Sequence, residues 1–200
     1  MEATETKTIG KYKIEIFPDD DAQSPREDDN LGTMVCFNRR YNLGDKHSYC
    51  KDDYESWKEL EADIIKTEKV GVILPLMIYD HSGITMYVGT SGDRWDSSFV
   101  GFIFISKEKI RKEFSWKRIT KKRLEKIETY LRGEVETYDQ YLRGDCYGYR
   151  ITDTDNDEEV DSCWGYYGDD YCLEEAESVV NSIIKTEEEH INRKINLVNI

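Results

Sequence analysis

Only three prolines interrupt 200 residues, and that scarcity, with recurrent apolar patterning and 12% aromatic residues, argues against a disordered acidic chain, which is usually poor in aromatics. No apolar run approaches the ~18 residues of a membrane span, so no membrane partner is expected. The opening Met1-Glu2-Ala3-Thr4-Glu5 lacks the basic and apolar regions of a signal peptide, which leads to the expectation of a cytosolic protein. Cysteine is present five times (Cys36, Cys50, Cys146, Cys163, Cys172). The number is odd, the spacing forms no framework and Cys-x-x-Cys is absent, so the thiols read as reduced. Positive charge is the most conspicuous shortage: 28 Lys and Arg face 42 Asp and Glu, a formal net charge of −14.

The acids are unevenly placed. Thirteen carboxylates lie between Asp139 and Glu177, opposed only by Arg143 and Arg150. A smaller run, Asp19 to Asp21 followed by Glu27, Asp28 and Asp29, lies near the N-terminus, and Lys107 to Lys126 is strongly basic. A polarised domain of this kind repels polyanions from its acidic face and attracts the proteins that bind them.

Local patterns predict an order of elements. Residues 10–17 alternate with Tyr12, Ile14 and Ile16 on one face, a strand, and Met34 to Phe37 is a second. Asp52 with Glu55 has the form of a capping box ahead of a helix over 53–67. Residues 71–79 form an apolar strand whose Pro75 predicts an edge or bulged position. It is joined through Asp80-His81-Ser82-Gly83 to a partner at Ile84–Val88. Ser98–Ile105 is another strand, Ser106 caps a basic helix to Phe114, and Thr120 caps a longer one striped by Leu124, Ile127, Leu131, Val135, Tyr138 and Leu142. A second hairpin joins 146–152 to 160–167 through the acidic turn Asp153–Glu159, and a last helix begins near Asp170. This order predicts a single α+β domain over 1–200, with a flexible N-terminus at 1–9 and a mainly antiparallel sheet built from hairpins with helices packed on one face.

Four constellations compete for function. The acidic hairpin and its flanks (Asp153, Asp155, Asp157, Glu158, Glu159, Asp161, Asp169 and Asp170) present carboxylates at a density approaching the ~1.7 Å axial charge spacing of duplex DNA. That is the basis of a partner-binding surface that mimics nucleic acid; the plainer reading is a solvated surface. Asp153, Asp155, Asp157 and Glu159 also alternate as Ca²⁺ ligands do, but the loop lacks the central glycine and terminal Glu of an EF-hand. Cys36, His47, Cys50, His81, Cys163 and Cys172 include zinc-ligand types, with His47 and Cys50 the one close pair. Cys36 and the His81-Ser82 pair are conceivable parts of a nucleophilic site, though no spacing selects them. Phe114 and Trp116 interleave the basic stretch in the manner of single-strand binders. The net charge of the whole chain opposes that use, and exposed helix faces explain the stretch. No metal or cofactor is called for.

Several segments together resemble a family of small uncharacterised proteins of bacteriophages, prophages and other mobile elements. They are Leu31-Gly32-Thr33-Met34-Val35-Cys36-Phe37-Asn38-Arg39-Arg40-Tyr41-Asn42-Leu43-Gly44-Asp45, Tyr79-Asp80-His81-Ser82-Gly83-Ile84-Thr85-Met86, Val100-Gly101-Phe102-Ile103, Glu134-Val135-Glu136-Thr137-Tyr138-Asp139-Gln140-Tyr141-Leu142 and Asp161-Ser162-Cys163-Trp164-Gly165-Tyr166-Tyr167-Gly168. Asn38 stands where the family has His, which argues against a catalytic or metal role at that position. The resemblance implies a phage context and lends no activity. Context and charge together lead to the expectation of a non-enzymatic inhibitor of host defence, of the anti-CRISPR or anti-restriction kind. It would act in the host cytoplasm on a defence protein or ribonucleoprotein complex. The alternatives are a small hydrolase or nuclease-like enzyme using the His81 turn, and an acidic docking protein that redirects host transcription or replication.

Overall fold

The computed structural model describes residues 2–80, 83–90 and 97–198. Among them the chain forms eight strands and four α-helices: β1 Glu5–Ile9, β2 Tyr12–Pro18, β3 Thr33–Cys36, α1 Trp57–Thr67, β4 Val70–Asp80, β5 Ile84–Val88, β6 Ser97–Ser106, α2 Lys107–Phe114, α3 Lys121–Arg143, β7 Cys146–Asp153, β8 Glu158–Tyr167 and α4 Asp169–Val198. The fold is α+β, with two four-stranded sheets whose pairings are all antiparallel. No helix among the described residues is long and apolar enough to cross a membrane.

The chain divides into two compact units, residues 1–23 with 144–200 and residues 24–143. Each closes its own core. The two-segment unit carries the sheet β1-β2-β7-β8, and α4 covers one face of it. Tyr12, Ile14 and Ile16 of β2 and Tyr149 and Ile151 of β7 meet Cys172, Ala176 and Val180 there. The segment expected to be a flexible N-terminus contains β1, which pairs with β2 from Glu5↔Ile16 to Ile9↔Tyr12. The ladder satisfies its backbone groups, and the Lys7 ammonium reaches Glu177 of α4.

The contiguous unit carries the sheet β3-β6-β4-β5 with helices on both faces. Ile127, Leu131 and Val135 of α3 and Ile110 of α2 pack with Met34, Leu76 and Ile103 on one side. Leu60 and Ile64 of α1 pack with Val35, Phe102 and Phe104 on the other. Both faces of β6 are therefore apolar, which is why its sequence reads as a run rather than an alternation. Gly101 has a physical reason to be glycine: a Cβ there lies 1.9 Å from the Val35 carbonyl oxygen of β3. Pro75 occupies an inner strand, beside a register shift between Leu76 and Met77. Its carbonyl accepts from the Gly89 N–H at 3.2 Å, so the reciprocal bond that proline cannot donate falls opposite Gly89, one residue beyond the end of β5. The cap of α1 is Ser56, whose hydroxyl accepts from the Glu59 N–H while Glu59 accepts from the Glu55 N–H. Asp52 belongs to a preceding 3₁₀ turn.

Candidate functional site

The division into units sorts the charge. Residues 1–23 and 144–200 hold 21 of the 42 Asp and Glu but only seven of the 28 Lys and Arg. Residues 24–143 hold 21 of each. The two-segment unit thus carries the entire net charge of −14, and the contiguous unit is neutral.

Within the acidic unit, the eight carboxylates expected to act together divide. From β8 the chain turns at Gly168 and α4 runs back antiparallel, so Asp169 and Asp170 start at the end of the unit opposite the hairpin tip. The residue that meets the hairpin is Glu187. Lys11 places its ammonium 2.8 Å from Asp153 and 3.1 Å from Glu187, and the Tyr12 hydroxyl donates to Glu187 at 2.8 Å. Eighteen residues of helix separate Asp169 from Glu187, ~27 Å at 1.5 Å per residue.

The result is two acidic ends. One gathers the exposed Asp155, Asp157 and Glu158 of the tip with the exposed Glu188 and Glu189 of α4. The other gathers Asp169 and Asp170 with the Asp19–Asp21 run. Asp19 anchors that run, because its N–H donates to the Cys146 carbonyl and its carboxylate accepts from the Gly165 N–H.

Not all eight are free to meet a partner. Asp153 is 9% exposed; the bond from Lys11, and then the N–H of Asp155, holds its carboxyl below the usual range. Glu187 is likewise held low, first by Tyr12 and then by Lys11, and those two acids raise the pKa of Lys11. Asp161 accepts from the Tyr149 hydroxyl at 2.8 Å, and Glu159 pairs with Arg150 at 3.1 Å and accepts from Ser162. The clamp role of Lys11 and the contribution of Glu188 and Glu189 escaped the sequence reading. The triple Glu187-Glu188-Glu189 was a visible signal, but only the antiparallel return of α4 says that it sits by the tip.

The segments that carry the phage-family resemblance largely interlock inside the contiguous unit. Arg26, its side chain 4% exposed, forms two bonds to Asp45 (2.8 and 2.7 Å), one to Glu134 at 3.0 Å and one to the Gly32 carbonyl at 2.9 Å. Burial works against its charge, but Asp45 and Glu134 outweigh that and raise its pKa. The same carboxylates accept backbone N–H groups: Asp45 from Met34, Glu134 from Leu31 and Gly32. Farther along α3, the Tyr138 hydroxyl accepts from the Gly44 N–H and Asp139 accepts from the Met86 N–H. These residues staple the loop before β3, the loop after it and the edge strand β5 to one helix, and they read as scaffold. A cleft of about 980 Å³ opens beside them, but its most buried cation, Arg26, is already neutralised within the protein.

Burial, then Asp45, pushes the Cys36 thiol up to about 12, which suppresses the thiolate a nucleophile requires. His47 turns one ring nitrogen to the Cys36 carbonyl at 3.1 Å, while Nδ1 is buried without a partner. No three His, Cys, Asp or Glu side chains among the described residues stand close enough to hold a metal ion. His81 and Ser82 lie outside the described residues. The chain matches no known protein family, no curated protein and no solved structure.

Proposed function

We propose that this is a phage-encoded anti-defence protein that binds a nucleic-acid-handling host complex in the host cytoplasm, with its two-segment unit acting as a polyanion. One observation carries the reading: the whole net charge of −14 belongs to a unit of eighty residues, built on a rigid sheet and a long helix. A surface of that density competes for grooves shaped to hold phosphates, where charge neutralisation dominates affinity. The resemblance to proteins of phages and mobile elements supplies the context. The surfaces assigned to binding are the exposed tip residues Asp155, Asp157 and Glu158 with Glu188 and Glu189, and the opposite end at Asp169 and Asp170. Asp153, Glu159 and Asp161 serve mainly to hold the hairpin in shape.

The test is affinity capture of the tagged protein from lysate of a host rich in defence systems, at 50 and 300 mM salt, with mass spectrometry of the eluate. The expected result is a nucleic-acid-handling complex retained at low salt and displaced by added oligonucleotide. D155N/D157N/E158Q/E188Q/E189Q and D169N/D170N variants then show which end binds. The proposal fails if no such complex is enriched, or if both variants capture it as well as the parent does.

A further inference from the structure

The contiguous unit has a basic surface of its own. Whole-chain charge argued against direct nucleic-acid binding by the basic stretch, but that argument loses its force once the −14 is assigned to the other unit and residues 24–143 are neutral. Between Lys107 and Lys126 there are ten cations against three glutamates. Eight of the ten are exposed, and none of those eight joins an ion pair among the described residues. In the acidic unit, by contrast, Lys7, Lys11, Lys13 and Arg150 are each paired.

The dipoles of the two helices separate structural placement from placement that needs another reason. Arg111 and Lys112 occupy the last turn of α2, where cations complement the negative helix end. Lys121 and Lys122 occupy the first turn of α3, which contains no acid. There they add positive charge to the positive end of a 23-residue helix, an arrangement that destabilises the free protein and favours an anion.

Three aromatic rings are built into the same end of the unit. Phe114 stacks on Trp116 with centroids 4.5 Å apart and on Tyr130 at 5.8 Å, and Tyr130 is 41% exposed. The Arg123 guanidinium lies 4.6 Å from the Trp116 ring and Lys126 5.5 Å from that of Tyr130. Arg123 also donates to the Arg118 carbonyl, which folds the turn between the helices onto α3. Unpaired cations around an accessible ring are what a single strand requires: phosphates meet the cations while a base stacks on the ring.

We propose that the α2–α3 end of the contiguous unit binds single-stranded nucleic acid, with Lys117, Arg118, Lys121 and Lys122 on phosphates and Tyr130 as the stacking platform. This goes beyond the proposed function and does not depend on it, since it concerns the other unit and a different ligand.

The test is fluorescence anisotropy of the full chain with labelled 20-nucleotide single-stranded DNA and RNA and a 20-base-pair duplex, between 50 and 200 mM salt. Four phosphate contacts give a log–log salt slope near −3 for single strands, ~60-fold weaker binding across that range. The K117Q/R118Q/K121Q/K122Q variant is expected to lose at least tenfold in affinity and most of the slope, with its thermal melt unchanged. Y130A is expected to weaken single-strand binding about tenfold while keeping the slope. Absence of single-strand binding at 50 mM salt, tighter binding to duplex, or an unaffected quadruple variant would each overturn the assignment. Sedimentation at low salt covers the remaining anionic partner: a dimer that the quadruple variant abolishes would show that the cations answer the acidic unit of a second copy, and would equally overturn it.

Discussion

Replacing Arg26 by methionine removes the cation around which the contiguous unit is tied. The change keeps most of the stem volume but leaves Asp45 and Glu134, whose side chains are 21% and 17% exposed, without their shared counter-charge. Breaking a buried pair on one side costs ~3–5 kcal/mol. The lower end applies, because both carboxylates keep backbone N–H donors from Met34, Leu31 and Gly32. Unfolding 120 residues carries an entropy of ~0.25 kcal/mol/K near 60 °C, so a loss of ~3 kcal/mol lowers Tm by ~12 °C. Trp164 is the one tryptophan of the four outside residues 24–143. In a Trp164→Phe background, tryptophan fluorescence therefore follows the contiguous unit alone through a thermal or urea melt. Arg26→Lys, which keeps the charge but not the two-pronged contact with Asp45, should fall between parent and methionine variant. Removing all three charged residues should not restore stability, because the N–H groups of Leu31, Gly32 and Met34 then lose their acceptors. A drop below ~3 °C in Arg26→Met would refute the reasoning, since the network would then be worth no more than a surface ion pair.

Cys36 sets an alkaline limit. Its folded pKa lies near 12 against ~8.5 unfolded, so its contribution is complete below the unfolded value and is lost as pH rises toward 12, at ~1.4 kcal/mol per pH unit. Urea titrations from pH 8 to 11 should show this slope, and Cys36→Ala should flatten it. At the acid end the sign reverses. Asp153 and Glu187 have depressed folded pKa values, so the stability they bring is present above pH ~4 and disappears as pH falls through those values. Lys11→Met should make the acid limb shallower between pH 2 and 6, and an unchanged limb would dismiss the clamp. Gly148→Ala should destabilise the acidic unit by ~1–3 kcal/mol, because a Cβ there lies 2.3 Å from the Trp164 indole. Urea denaturation followed by far-ultraviolet circular dichroism checks it, with Trp164→Ala as the relieving second change.

Where one local rule decided an element, the sequence was readable. The stripe from Leu124 to Leu142 produced α3, Ser106 capped α2 through the Lys109 N–H, and turn residues flanked both predicted hairpins. Where two local rules tied, it was not: Asp52 and Ser56 each precede a Glu three residues on, and Ser56 wins because the apolar face of α1 begins at Trp57. The two-unit division was out of reach for a different reason. The pairing Ile14↔Ile151 joins residues more than a hundred positions apart, and no window of local periodicity contains both strands. For the same reason the eight acidic residues looked like one patch, though β8 runs from the tip to the far end, where two of them open α4. Arg26 gave no signal at all, because in sequence it belongs to a polar, proline-marked loop.

The discontinuity of the acidic unit also fixes an order of events during synthesis. β1 and β2 leave the ribosome about 130 residues before β7, so they must wait unpaired while the intervening chain is made. That chain is a unit with its own core and can fold meanwhile. Its folding removes most of a loop whose closure otherwise costs ~4 kcal/mol in length-dependent entropy. The neutral unit can thus serve as the assembly aid of the charged one: it shortens the loop that β7, β8 and α4 must close to reach β2, and the acidic surface comes into being only once α4 has been made.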